Sequence, residues 1–357
     1  MSATWKIDGG KIRPGNHDPE IAIDTMIFFG KHKFIITSIL IAGLLIGLFW
    51  YYSASPIENR SRTVLVEIPR GSSFLEVVDI MDRAGLVKIQ PFFAALALSK
   101  GVARRLRAGE YEFVSSMTPN AVIEKLVRGD IKRYRITIPE EWTVQEIADR
   151  LEFSKLINRD AFLSLAGDRD FLKSQGIDAM SAEGYLFPDT YEFDRSMSTR
   201  QIMTILIHQF WEKVTPEMRE RAASMHMTTN EWVTLASIIG KESSLKEEKF
   251  LVSAVFHNRL RKKMRLQSDP TAIYNLNRIR GPITRRELMR YSPHNTYQIS
   301  GLPPGPICNP GLDSLQAALY PAPVKYLFFV SKNDGTHYFS TTYSEHSDAV
   351  MLHQSDR

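Results

Sequence analysis

Residues 34–52, FIITSILIAGLLIGLFWYY, run for nineteen positions without a charged side chain. As a helix this run would extend about 28 Å, close to the roughly 30 Å of a bilayer's hydrocarbon core. A transmembrane helix, and so a bilayer partner for residues 34–52, is the expectation. Lys31 and Lys33 abut its start, and Trp50, Tyr51 and Tyr52 close it. That pattern predicts a cytoplasmic N-terminus, an aromatic belt at the outer interface, and everything after about residue 53 outside the cytoplasm. A cleaved signal peptide is the competing reading, with Ser53-Ala54-Ser55 as its site, but the leading region and the apolar run are both long for one.

The chain has 357 residues, enough for two folded units. Its 45 basic and 40 acidic residues leave a net charge of +5, spread along the chain. Such a balance suits an anionic surface, membrane lipid or wall polymer, and no basic-aromatic module for nucleic acid is present. A single cysteine, Cys308, excludes an intrachain disulfide. Without HExxH, CxxC or a Walker-type glycine loop, neither metal nor cofactor is expected.

Local patterns divide the rest. Residues 1–33 are polar and read as a loosely ordered cytoplasmic tail, and 53–61 as a linker. Residues 62–133 read as a small α+β module. It has a strand at 64–68, a helix capped at Ser72-Ser73, a helix after Pro91, a short strand at 109–113 and a helix from Pro119 to Gly129. Ile68-Pro69 with Ser73 and Glu76 recurs as Ile138-Pro139 with Thr143 and Glu146, an offset of 70, marking a new module that occupies 134–357. It opens with a strand at 135–138 and a helix at 143–153. Its tail reads as a hairpin, strands at 326–330 and 336–340 about an Asn-Asp-Gly turn, followed by a helix after Tyr343.

The most informative chemistry lies between Asn230 and Pro270. Thr228 and Glu231 have capping-box spacing, and Trp232, Leu235, Ile238 and Ile239 recur at helical intervals. The stripe runs from 235 and 239 into Glu242, placing a carboxyl where an aliphatic side chain belongs. Desolvation there favours the protonated form, as a general acid requires. The bland alternative is a surface Glu242 paired with Lys246. A second amphipathic helix, carrying Leu251, Val255 and Leu260, should pack beside it. Beyond it Asp269 stands as the nearby candidate for a second carboxylate, against a plain turn-and-cap role, and Gln267 as a hydrogen-bonding amide. In Glu183–Phe193 the aromatics read either as a sugar platform or as core. Seven of the eleven residues 301–311 are Gly or Pro, a rigid loop suited to a cleft rim, with Asn295, Tyr297 and Asn309 presenting polar groups. Cys308 reads as a small buried filler.

Five ordered blocks carry a resemblance: LASIIGKES with SAVFHNRL, MRLQSDPTAIY, EGYLFPDTYEF, NTYQISGLPPGPICNPG, and the tail GTHYFS with Glu345-His346. Together they resemble the endolytic murein transglycosylases of the YceG-like family. The resemblance implies an α+β chain with one transmembrane helix, a LysM-like glycan-binding module and a larger catalytic domain. It implies cleavage between N-acetylmuramic acid and N-acetylglucosamine within nascent peptidoglycan strands, leaving 1,6-anhydromuramoyl ends, with Glu242 as acid and then base. Substrate contacts fall to Tyr185, Tyr191, Gln267, Asp269, Asn295, Tyr297 and Asn309, and peptidoglycan synthases become expected partners. A hydrolytic muramidase and a noncatalytic wall-binding scaffold are the alternatives. Three departures touch the motif region: the family usually has glycine where this chain has Glu141, often an acidic residue where it has Gly240, and usually an aromatic where it has His294.

Overall fold

A computed structural model describes residues 19–59, 61–276, 281 and 283–354. It is an α+β chain of two compact units, Met1–Asp130 and Ile131–Arg357. The tail before Pro19 lies outside the described residues.

In the first unit, α1 spans Pro19–Ala54, so helix begins well before the apolar run. Within it Lys33–Ala54 is long and apolar enough to cross a membrane, and that stretch is not buried inside the protein. Then come β1 (Thr63–Ile68), α2 (Phe74–Arg83), α3 (Gln90–Ser99), β2 (Gly109–Val114) and α4 (Pro119–Arg128). The predicted caps form: Ser73 closes a capping box with Glu76, and Gly129 ends α4 in the left-handed conformation. β1 and β2 pair antiparallel from Thr63↔Val114 to Ile68↔Gly109. Within the expected 53–61 linker, part of the chain is fastened to the first unit. Ile57 is buried, and its N–H and that of Glu58 donate to the carbonyls of Met117 and Ser115.

The second unit opens with β3 (Tyr134–Thr137), α5 (Val144–Phe153), α6 (Arg159–Ala166), α7 (Arg169–Ser174) and β4 (Thr190–Phe193). β4 pairs antiparallel with β3, with Tyr134 opposite Phe193. Period-two patterning is short here, and only the tertiary pairing makes 190–193 a strand. There follow α8 (Thr199–Lys213), α9 (Pro216–Ser224), α10 (Thr229–Glu242), α11 (Lys246–Arg261), α12 (Asp269–Ile273), α13 (Arg285–Leu288) and α14 (Leu312–Leu319). The hairpin β5 (Phe328–Ser331) and β6 (His337–Ser340) precedes α15 (Tyr343–Gln354).

α10 is the axis of this unit. Its Thr228 capping box forms, and Trp232, Val233, Leu235, Ala236, Ile238 and Ile239 are all fully buried. The helix is covered on every side, not along one stripe, by α9, α11, α12 and α14. Trp232 Nε1 donates to the Leu315 carbonyl at 2.9 Å, which satisfies its one polar atom inside the core. Burying each such aliphatic side chain is worth about 1.5–3 kcal/mol. A helix so anchored is a rigid mount for whatever its last residue carries.

Candidate active site

That last residue is Glu242. The α10 ladder ends at Ser243, and the Glu242 carboxyl turns into a cleft of about 430 Å³. Glu242, Arg259, Leu266, Gln267, Asp269 and Tyr297 line it from α10–α12 and the 295–297 turn, and Phe328, His337, Tyr343 and His346 from the hairpin and α15.

Burial pushes the Glu242 carboxyl up to about 7. The Ser268 hydroxyl donates to Glu242 Oε1 at 2.5 Å and opposes that rise, the Asp269 charge adds to it, and the Arg259 charge lowers it. Lys246, the surface partner of the bland alternative, pairs with Asp313 at 2.8 Å. Ser268 is itself held, because its N–H donates to Thr296 Oγ1 and its carbonyl accepts from Thr271 Oγ1. The donor that tunes Glu242 is thus fixed by a buried threonine pair.

Arg259 is buried rather than solvated. Its guanidinium donates to the carbonyls of Leu327 (2.7 Å) and Leu266 (2.8 Å) and, at 3.3 Å, to Gln267 Oε1. It also lies over the Phe328 ring, 5.2 Å from the centroid. One side chain therefore ties the hairpin to the 265–267 segment beside Glu242. Gln267 sits at φ +51, an uncommon conformation for a residue with a Cβ. Asp269 does not cap the short helix it begins. Its Oδ1 accepts from the Tyr297 hydroxyl at 2.5 Å, and burial next to this carboxylate pushes the Tyr297 phenol up.

Four of the residues expected at substrate lie elsewhere. Tyr185 is buried against Phe210, its hydroxyl donating to Asn230 Oδ1, and Tyr191 is buried with its hydroxyl on the Phe187 carbonyl. Asn295 donates to the Leu288 and Arg290 carbonyls and accepts from Tyr297 N–H. Asn309 accepts from the N–H groups of Gly184 and Leu186 and donates to the Trp142 carbonyl and Glu183 Oε1. Both amides are fully buried and hydrogen-bonded within the protein itself. Glu183 is buried too. It accepts from Val144 N–H, Asn309 and the Tyr274 hydroxyl, and burial pushes it up to about 8. The 301–311 loop packs into the core through Leu302 and Ile307 and does not form the rim of this cleft.

The hairpin and α15 contribute two histidines to the cleft, His337 of the GTHYFS block and His346 beside Glu345. His337 Nδ1 lies 2.6 Å from Glu248 Oε2, and its N–H donates to Glu248 Oε1. His346 stacks on Phe328 with centroids 5.1 Å apart, and burial holds its imidazole below the ordinary value. Among the described residues no group of three or more His, Cys, Asp or Glu side chains could hold a metal ion.

The pattern defining the YceG-like family matches residues 66–351. The chain belongs to the YceG-like family. It is 33% identical to the endolytic murein transglycosylase of Bacillus subtilis (strain 168), over 88% of this chain and 92% of that protein. It is 28% identical to the endolytic murein transglycosylase of Streptococcus pneumoniae serotype 2, over 91% of this chain and 66% of that longer protein. A crystal structure of a YceG-like protein from Listeria monocytogenes matches 80% of this chain and 98% of its own, with TM-score 0.56 and 31% identity.

Proposed function

We propose that this YceG-like chain is a membrane-anchored endolytic murein transglycosylase, a carbon–oxygen lyase acting on peptidoglycan, with Glu242 as its acid–base residue. The observation that carries the chemical part is a carboxyl on a rigid helix end, pushed up to about 7 by burial, at the wall of a polar cleft.

A proton held near neutrality can go to the oxygen between N-acetylmuramic acid and N-acetylglucosamine as the C1–O bond breaks. The resulting Glu242 carboxylate then takes the proton of the muramoyl C6 hydroxyl as O6 bonds to C1. Glu242 ends protonated, no water is consumed, and the products are a glucosamine hydroxyl and a 1,6-anhydromuramoyl end. Positioned acid–base catalysis contributes on the order of 10²–10⁴-fold, and the rest comes from holding the C6 hydroxyl against the anomeric carbon. Gln267 and the Tyr297–Asp269 pair stand beside Glu242 in the cleft and are assigned that holding.

The finer elements rest on the resemblance and on charge and apolar pattern. The N-terminus is cytoplasmic and the second unit extracytoplasmic, with residues 34–52 in the bilayer of the cytoplasmic membrane. Residues 62–133 grip glycan as a LysM-like module. Cleavage ends strand elongation beside peptidoglycan synthases. The test is mass spectrometry of peptidoglycan digested by the full chain and by Glu242→Gln. Anhydromuramoyl ends from the wild type alone support the proposal, whereas glycan binding without cleavage by either protein would favour a wall-binding scaffold. Asp269 lines the same cleft and supports one second reading, a hydrolytic muramidase, which reducing muramoyl ends would establish.

A further inference from the structure

Glu141 of the β3–α5 turn and Gly240 of α10 meet in space. A Cβ built on Gly240 falls inside the carboxylate of Glu141, and one built on Gly311 falls inside the carboxylate of the adjacent Glu140. Two successive acidic side chains of the β3–α5 turn are therefore each seated on a bare glycine. Neither seat is loose. Glu141 Oε2 accepts from the Cys308 thiol at 2.9 Å, and its Oε1 from the Ser314 hydroxyl at 3.0 Å. Lys249, itself buried, reaches Glu140 at 3.4 Å and Glu141 at 3.8 Å. Cys308 Sγ also lies 3.3 Å from the Ser237 carbonyl of α10. The turn is locked from its backbone as well, since Glu141 N–H donates to the Asn309 carbonyl and Asn309 N–H to that of Trp142.

The backbone records what this arrangement costs. Glu141 is held at φ +66, the left-handed region where glycine is at ease and a side chain is not. A glycine at 141 would relieve the turn, and an acidic side chain at 240 would occupy the space that the Glu141 carboxylate fills. Gly240 is two residues before Glu242, in the last turn of α10.

We infer that Glu141 and Gly240 are a reciprocal pair: the space that a side chain at 240 would take on α10 is filled by a carboxylate from the β3–α5 turn. There, tied to Lys249, Ser314 and Cys308, it positions the helix end that bears Glu242. Glu141 is thus a positioning residue, and its importance for turnover rests on the function proposed above.

The test uses the full chain in detergent or nanodiscs and four proteins: wild type, Glu141→Gly, Gly240→Glu, and the double Glu141→Gly/Gly240→Glu. Each single variant should lower kcat for anhydromuramoyl release about tenfold or more with KM within about threefold. The double should return to within about threefold of wild type, a non-additivity expected only of residues that share a space. The Glu242 titration, followed by carbon NMR, should move in both singles and return in the double. A double variant no better than the worse single overturns the pair. Singles that lose only melting temperature, with kcat and the Glu242 titration unmoved well below it, overturn the positioning role. A wild type that titrates as expected but releases no anhydromuramoyl ends overturns the functional reading, and the titration series then decides the pair by itself.

Discussion

Ser268→Ala removes one atom with a calculable consequence. The Ser268 hydroxyl donates to Glu242 Oε1 at 2.5 Å, and a hydrogen bond to a charged group is worth about 1.5–3 kcal/mol. At about 1.4 kcal/mol per pKa unit, its loss should raise the Glu242 carboxyl from about 7 by about one to two units. Ser268 N–H keeps its bond to Thr296, so the turn itself should hold. In a pH series of kcat/KM for anhydromuramoyl release, the alkaline limb reports loss of the acid form. It should move from about 7 toward about 8–9. Stability has a matching signature. Glu242 is raised in the fold above its ordinary 4.5, so the folded state holds a proton the unfolded chain gives up, and stability falls as pH rises through that window. The variant should widen the window, matching wild type in its charge-dependent part near pH 4 and losing a further ~1.5–3 kcal/mol above about pH 9. An alkaline limb that stays put or moves to lower pH would refute the assignment of Glu242 as the titrating acid.

Other expectations follow from the same geometry. Asp269→Asn should lower kcat by less than about tenfold and leave the ends anhydromuramoyl, whereas loss of all cleavage would restore the hydrolase reading. Asn309→Ala strands two buried N–H groups and should cost about 3–5 kcal/mol by denaturant unfolding, with KM unchanged; a raised KM at normal stability would return Asn309 to the substrate. Burial pushes the Glu183 carboxyl from its ordinary 4.5 up to about 8, so wild-type stability should fall between those values by up to about 5 kcal/mol. Glu183→Gln should lack that slope in melting curves at pH 5 and 9, and parallel curves would show that Glu183 is not held neutral.

The caps and turns were legible because each is a local event. Ser73, Thr143 and Thr228 all accept the hydrogen bonds their spacing predicts, and the 328–340 hairpin forms about its Asn-Asp-Gly turn. Polar groups in the motif blocks were harder to place. Asn295 and Asn309 look as suited to a sugar amide as Gln267 does, and nothing within a few residues of each distinguishes them. What separates them is long-range: Asn309 is claimed by Gly184, Leu186, Trp142 and Glu183, all remote in the chain.

The sequence by itself determined the apolar segment, the α+β character, and the place of Glu242 at the end of an apolar helical stripe, because period and capping act over one or two turns of helix. Tertiary structure alone decided that α10 is buried all round and that Ser268 and Arg259 converge on Glu242. It alone seated Glu141 on Gly240. A carboxyl's proton affinity depends on the solvent excluded and the charges brought near by distant segments, and only the folded chain specifies those.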